Sequence, residues 1–479
     1  MKQNEEQTNK QKVDKGILKV TYVFSLLILL LVGYYTSFLL FEGQEVIDNS
    51  YNKRQDLLSQ TILRGKILSA DNVILAESLE DENGNVTRYY PYKNLFSHVV
   101  GRVEKGKTGL ESLQSFPLLT TSINPLTKAM NDISGVRSPG DNVVTTLDLE
   151  LQKAAYDALG NRDGAIVVLE PSTGKILAMV SKPDYDPNKI SDVWEKLSGE
   201  EEQSSALLNR ATQGLYSPGS TFKILTALEY MRENDNHQEF EYECRGSELI
   251  EGVKISCYNN KKHGKINLST AIAKSCNSAF AYLGNHINKA AFRNLANEFL
   301  FNTTMELTVP VNNSSFTLSE TSNTAETMQT AIGQGNTLVT PMHNAMIMSA
   351  IANQGAIMKP YIVDRIIGYD NHTVEKTYPE IYKVVMKQEE AKILSTMLRE
   401  VVTDGTATSL KKQSNYIAYG KTGTAEHDST KKPHAWFIGY AMDKEPEIVV
   451  SIVVEEAGTG TDVAVPIAKK IFAEYFKGR

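Results

Sequence analysis

The chain is poor in cysteine and tryptophan, with three of the first and two of the second among 479 residues. Three thiols allow one disulfide at most. Positive charge is not in excess either: 50 basic against 57 acidic residues leave a net charge of −7, so no basic footprint points to nucleic acid as a partner. No repeat recurs at solenoid periods and no tract is of low complexity, which removes the solenoid and compositionally biased classes. What is present is an ordinary globular composition, 41% hydrophobic and 22% charged, in a chain long enough for two or three domains.

Val20 to Phe41, VTYVFSLLILLLVGYYTSFLLF, is an uncharged apolar run long enough to cross a bilayer as a helix. A secretory signal peptide has a shorter apolar core and a small-residue cleavage site. A buried core helix rarely stays uncharged around every face for this length. The run therefore reads as a retained single-pass anchor. Lys10, Lys12, Lys15 and Lys19 precede it, and Glu42, Glu45 and Asp48 follow it. The positive-inside bias then puts the N-terminus in the cytoplasm and everything after Phe41 outside.

Beyond the anchor, ILRGKILSADNVILAES reads as a β-hairpin turning at Ala70-Asp71-Asn72. Polar, irregular sequence follows to about Gly140. Then GDNVVTTLDLELQKAAYDAL reads as a strand feeding an amphipathic helix, and GAIVVLEPSTGKILAMVS as two strands joined by a turn. The C-terminal stretch reads strand, strand, strand, helix. The expected organisation is a cytoplasmic tail over 1–19, an anchor over 20–41, a small α+β module over 42–137 and a main domain over 138–479. The expected fold class is α+β, an antiparallel sheet covered by helices.

Three short motifs carry the chemistry. In SPGSTFK a Pro-Gly turn leads into the apolar run ILTALEYM, so Ser220 opens a helix with Lys223 one turn on, on the same face. A lone Ser-x-x-Lys occurs about twice by chance in such a chain. Downstream, a helical pattern breaks at Ser275-Cys276-Asn277, and later YGKTGTAE places Lys421, Thr422 and Gly423 on a β-prone stretch. Lys-Thr-Gly is expected in about one chain in ten, and the three in this order are a far stronger signal. A serine hydroxyl needs a base, and Lys223 serves only if burial and a second cation, supplied by Lys421, lower its pKa. Ser275 would relay a proton to the leaving group, while Asn277 would bind a substrate amide and position Lys223. The backbone N–H groups of Ser220 and Thr424 would hold the oxyanion. Gly423 would let an extended substrate approach the strand edge, with Thr422 and Thr424 on its carboxylate. The reaction class is acyl transfer.

STFK, SCN and KTG resemble the three motifs of the penicillin-binding proteins and serine β-lactamases. The stretches GAIVVLEPSTGKILAMVSKPDYDPN, NRATQGLYSPGSTFK, AIGQGNTLVTPMHNAMIMSAIANQG and AWFIGY are similar to the transpeptidase domain of the former. RGKILSADNVILAES and TGLES resemble the membrane-proximal module of the class B subgroup, except that the turn SADN lacks the glycine expected there. The resemblance implies a membrane-anchored D,D-transpeptidase that cross-links peptidoglycan stem peptides, is acylated by β-lactams at Ser220, and serves cell-wall synthesis. No glycosyltransferase-like segment is seen, so the family implies a SEDS-type glycosyltransferase as membrane partner.

The other readings are a β-lactamase, a D,D-carboxypeptidase and a β-lactam sensor without turnover. A β-lactamase needs a deacylating glutamate, for which Glu298 in EFLFN is the nearest candidate; that segment reads instead as core packing. About 140 residues before the main domain argue against the carboxypeptidase. Trp436 and Phe437 read as sheet core, His434 as near the cleft rim, and His427 as solvated.

Cys244, Cys257, His263 and Cys276 gather every cysteine and one of eight histidines beside the second motif. Three thiolates and an imidazole suit a tetrahedral zinc, with wider spacing than a zinc finger. A Cys244–Cys257 disulfide with Cys276 left as a small buried residue fits the sequence too, as do three free thiols. The resemblance adds that elongation-type class B relatives carry a metal at the corresponding place, with the middle residue of the second motif as a ligand. No cofactor is expected in catalysis. In each reading the role is structural, holding the loop that presents Ser275 and Asn277.

Overall fold

A computed structural model describes residues 2–41, 54–199, 205–427 and 430–477. The apolar run lies in one continuous helix, Lys2–Phe41, whose 23 residues Gly16–Phe38 are apolar enough to cross a membrane and are not buried by the other described residues. The acidic flank of Glu42, Glu45 and Asp48 falls outside the described residues, as do the side chains of Lys10, Lys12 and Lys15.

The main domain is built on a five-stranded antiparallel sheet in the spatial order Ile417–Ala425, His434–Met442, Pro446–Val454, Gly164–Leu169, Ile176–Lys182. Its central strands are buried on both faces, so they read as unbroken apolar runs such as GAIVVL. The helices Leu149–Leu159 and Val465–Tyr475 pack on one another and on this sheet. Pro341–Ala352 is apolar around most of its circumference, and all of its residues are buried against the central strands. Trp436 and Phe437 are fully buried here, as expected of sheet core. Glu298 ends the helix Lys289–Glu298 in solvent, paired with Arg232 at 2.9 Å, while Phe299 and Phe301 beside it are buried. The segment is core packing, as its pattern implied.

The membrane-proximal module holds a finding the sequence did not suggest. Its six-stranded sheet runs Thr373–Lys376, Val363–Ile367, Asn142–Thr145, Ile67–Leu68, Ile74–Glu80, Val86–Tyr89. Two of those strands come from far down the main domain, and a third from just past the boundary expected near Ser138. The two parts are thus stitched through one sheet. The hairpin at Ala70–Asn72 forms as read, with Asn72 at φ 61° in place of the expected glycine. Asparagine tolerates that left-handed conformation better than most residues. Polar sequence read as irregular contains a well-formed helix, Pro125–Ser134.

The two module motifs meet in space. Arg64 of RGK and Arg88 each donate to buried Glu111 of TGLES, both at 2.7 Å. Burial raises the pKa of Glu111, and the charges of Arg88 and Arg64 outweigh it, leaving the carboxyl below its usual range.

Candidate active site

Ser220 sits on a 3-10 turn, Gly219–Thr221, and the α-helix starts just after it, at Lys223–Glu233. The turn is wedged against the Ile417–Ala425 strand. Gly219 has φ +54°, and a β-carbon there would lie 2.6 Å from the Thr424 carbonyl oxygen. Trp436 Nε1 donates to the Ser217 carbonyl at 3.1 Å, and Gly219 N–H donates to the Gly333 carbonyl at 2.8 Å. Arg210 and Tyr216, from the stretch leading into the serine motif, both bond Glu455 at 2.7 Å. The nucleophile is therefore held from the strand, from the AIGQG segment and from below.

Lys223 is fully buried. Its ammonium donates to the Ser275 carbonyl at 2.9 Å and to Asn277 Oδ1 at 2.7 Å, and lies 3.4 Å from Ser275 Oγ. Lys421, equally buried, donates to Ser275 Oγ at 2.9 Å and to the Thr422 carbonyl at 3.0 Å. Ser275 occupies the break between the helices Leu268–Ala273 and Asn277–His286, with φ 55°. Its hydroxyl is the meeting point of two lysines drawn from opposite ends of the domain.

Among the described residues neither lysine pairs with a carboxylate, and burial dominates both. Burial lowers Lys223 to about 8, with the thiols of Cys276 and Cys257 pulling weakly the other way. Lys421 falls well below its ordinary value through burial and then through the charge of Lys223. Desolvation is the main cause for both, and the repulsion between two ammonium groups on one hydroxyl belongs to the pair.

Asn277 positions Lys223 as expected, and one of its two amide hydrogens is taken by the Ser256 carbonyl at 2.9 Å. Gly423 also serves packing. A β-carbon there would meet Trp436 Cβ at 2.8 Å and Thr221 Cγ2 at 3.1 Å, so its bareness lets the strand close on the serine turn. The strand is nonetheless an edge of its sheet, open to an extended peptide. Ser220, Ser275, Asn277, Thr422 and Thr424 line one cavity of about 1120 Å³. Thr406, which sequence reasoning missed, lines it too, its hydroxyl 2.6 Å from that of Thr422. His434 does not reach this cavity: it is buried, stacked on His427 with centroids 3.9 Å apart, and accepts from the Glu456 N–H.

The four metal-type residues come together. Cys244, Cys257, His263 and Cys276 present ligand atoms all within 4.8 Å of one another, and no disulfide links the thiols. Sulfur separations are 3.8 Å for Cys244–Cys257 and 3.6 Å for Cys257–Cys276; His263 Nδ1 lies 3.3 Å from Cys244 and 3.8 Å from Cys257. A tetrahedral zinc with ordinary bond lengths requires edges of about 3.8 Å between sulfurs and about 3.6 Å between sulfur and nitrogen. The donor set fits the ion. The Ser278 hydroxyl, 3.2 to 3.4 Å from all three sulfurs, is the outer hydrogen-bonding group such a site uses.

An edge strand, a serine turn and two buried lysines on one hydroxyl define a serine acyltransferase of the penicillin-binding and β-lactamase type. Residues 164–473 match the penicillin-binding protein transpeptidase domain, and 64–143 the penicillin-binding protein A dimerisation domain. The chain belongs to the class B penicillin-binding proteins. It is 30% identical to the peptidoglycan D,D-transpeptidase PbpA of Mycolicibacterium smegmatis, over 96% of this chain and 99% of that protein. Penicillin-binding protein A of M. tuberculosis, solved as its penicillin G acyl-enzyme complex, superposes with a TM-score of 0.79 at 29% identity, covering 87% of this chain and all of that one (100%). The D,D-transpeptidase domain of an Eggerthella lenta peptidoglycan glycosyltransferase superposes at 0.78, with 29% identity over 87% and 98% of the two chains.

Proposed function

We infer that this protein is a membrane-anchored peptidoglycan D,D-transpeptidase in which Ser220 is the acylated nucleophile. The observation that carries the reading is the convergence of two fully buried lysines, Lys223 and Lys421, on the Ser275 hydroxyl beside the cavity that Ser220 lines. Neutral Lys223 takes the Ser220 proton as Oγ bonds to the penultimate D-alanine carbonyl carbon. The carbonyl electron pair moves onto oxygen, held by the backbone N–H groups of Ser220 and Thr424. When it returns, the C–N bond to the terminal D-alanine breaks. The departing amine takes its proton from Ser275, whose hydroxyl is refilled from the lysines. An amine on a neighbouring stem peptide then attacks the acyl-enzyme by the reverse route. Thr422 and Thr424 hold the donor carboxylate. A β-lactam acylates Ser220 in the same way, its ring C–N bond breaking without loss of a fragment.

The test is intact-mass analysis after penicillin treatment, beside a Ser220→Ala variant, followed by a stem-peptide cross-linking assay. A one-to-one adduct lost in the variant and transfer to an amine support the reading. An adduct without transfer would make the chain a sensor, and rapid drug hydrolysis without an adduct a β-lactamase.

We also propose a structural zinc on Cys244, Cys257, His263 and Cys276. With four protein ligands no coordination position is open for substrate, so the ion would brace rather than react. It would tie the Tyr242–Ile266 segment to the loop of Ser275 and Asn277, which the Asn277–Ser256 bond already joins. Zinc near one equivalent by elemental analysis, with three thiols released only on denaturation, is expected; no zinc and one free thiol would sink it. Orientation with the N-terminus in the cytoplasm, from Lys10, Lys12, Lys15 and Lys19 against Glu42, Glu45 and Asp48, is checked by protease protection in vesicles. A SEDS-type glycosyltransferase as partner rests on the matched segments, neither of which is a glycosyltransferase, and is checked by co-purification.

A further inference from the structure

The Pro125–Ser134 helix is amphipathic the wrong way round. Both of its ends are built: the Asn124 side chain accepts from Leu126 N–H at 2.9 Å, Pro125 takes the first turn, and Gly135 ends it at φ 69°. Yet none of its residues is buried. Leu126, Met130 and Ile133 fall on one face and are 76%, 68% and 87% exposed, and Val136 just beyond is 57% exposed. Asn131 turns inward instead, donating to Ser138 Oγ at 3.1 Å. A capped helix that shows its apolar face to water is a docking element rather than a frayed loop.

Its place in the chain says what it docks on. Arg137, three residues past the helix, donates to the Gln60 carbonyl at 3.3 Å, and Ile62 pairs with Ser138. The same Arg137 donates to Glu80 and to the Gly84 carbonyl at the tip of the next hairpin, beside half-exposed Val86. The helix therefore stands where the chain arrives from its anchor. Only residues 42–53 and the eight-residue helix Arg54–Thr61 separate this corner from Phe41. At full stretch that tether spans about 50 Å, and every shorter path lets this corner reach the lipid surface.

We propose that the Leu126–Met130–Ile133 face lies in the bilayer interface, a second membrane contact that fixes the base of the module on the lipid surface. The proposal needs only the membrane anchor and is independent of the reaction at Ser220. Cys244, Cys257 and Cys276 are buried, so a maleimide fluorophore can be placed selectively at Met130→Cys in the full chain, reconstituted in nanodiscs of phosphatidylcholine and phosphatidylglycerol. Leu249→Cys, 65% exposed on the Ser247–Ser256 hairpin beside the active site, is the control. Quenching by shallow spin-labelled lipid at least twofold greater at position 130 than at 249, with iodide quenching reduced at least twofold, is the expected result. Equal behaviour at the two positions would overturn it. So would shielding from iodide without lipid quenching that is lost when discs holding one chain replace discs holding two, since that places a second copy on the face. A Leu126→Ser, Met130→Ser, Ile133→Ser variant should lose the difference and keep penicillin acylation within twofold, which separates loss of docking from loss of folding.

Discussion

Two buried charge clusters in this molecule have opposite fates. In the module, Glu111 sits between Arg64 and Arg88 and stays ionised, because two guanidinium charges repay its desolvation. In the main domain, Lys223 and Lys421 meet at the Ser275 hydroxyl, Lys223 also bonds the Asn277 amide oxygen, and with no carboxylate beside them among the described residues burial weakens their hold on the proton. Equal burial leaves the charge secure in one place and weakened in the other. The sign and number of the partners decide which.

The comparison breaks most sharply at Lys223. Lys223→Met should lower the rate of penicillin acylation by about 10²- to 10⁴-fold, the span of a lost general base, with thermal stability changed far less, because losing its bonds to Asn277 and the Ser275 carbonyl is offset by removing a buried amine. Glu111→Ala should do the reverse. It strands two buried guanidiniums and should cost about 3–5 kcal/mol in denaturant unfolding, with acylation by the remaining folded protein unchanged.

Titration sharpens the contrast. The Lys223 pKa is lower folded than unfolded, so the unfolded chain binds more protons between about 8 and 10.5. Lys223 thus contributes stability that rises with pH across that window, by up to about 3 kcal/mol, and acylation should climb through pH 8. Glu111 is depressed instead: its contribution is present above the ordinary glutamate pKa and is lost as pH falls through its folded value. Chemical denaturation across pH should show both limbs, the acid one missing in Glu111→Gln. The smallest effect expected is at Thr406→Val, which removes the hydroxyl on Thr422. About 1 kcal/mol, or roughly fivefold in acylation, is the expected loss.

The parts of the site readable in the sequence are those where chemistry fixes residue type at short spacing: Ser220 with Lys223, Ser275 with Asn277, Lys421 with Thr422. Thr406 was invisible because nothing local marks it; only the fold lays it beside Thr422. The packing role of Gly423 was equally invisible, since its neighbours Trp436 and Thr221 are brought in by tertiary packing. The five-stranded sheet was legible from its apolar runs, whereas Val363–Ile367 gives no sign that it will pair with Asn142–Thr145. The Pro125–Ser134 helix carried its start and stop signals in plain view, in Asn124, Pro125 and Gly135. It was passed over because its short apolar stripe is set in polar sequence and covers no core.

The shared six-stranded sheet has a mechanical meaning. Because Val363–Ile367 and Thr373–Lys376 return to the module that holds Ile67–Leu68, a single cut in the chain between Thr145 and Gly164 would leave the halves clasped. The two parts are fastened twice, once along the backbone and once across the pairing of Val363–Ile367 with Asn142–Thr145.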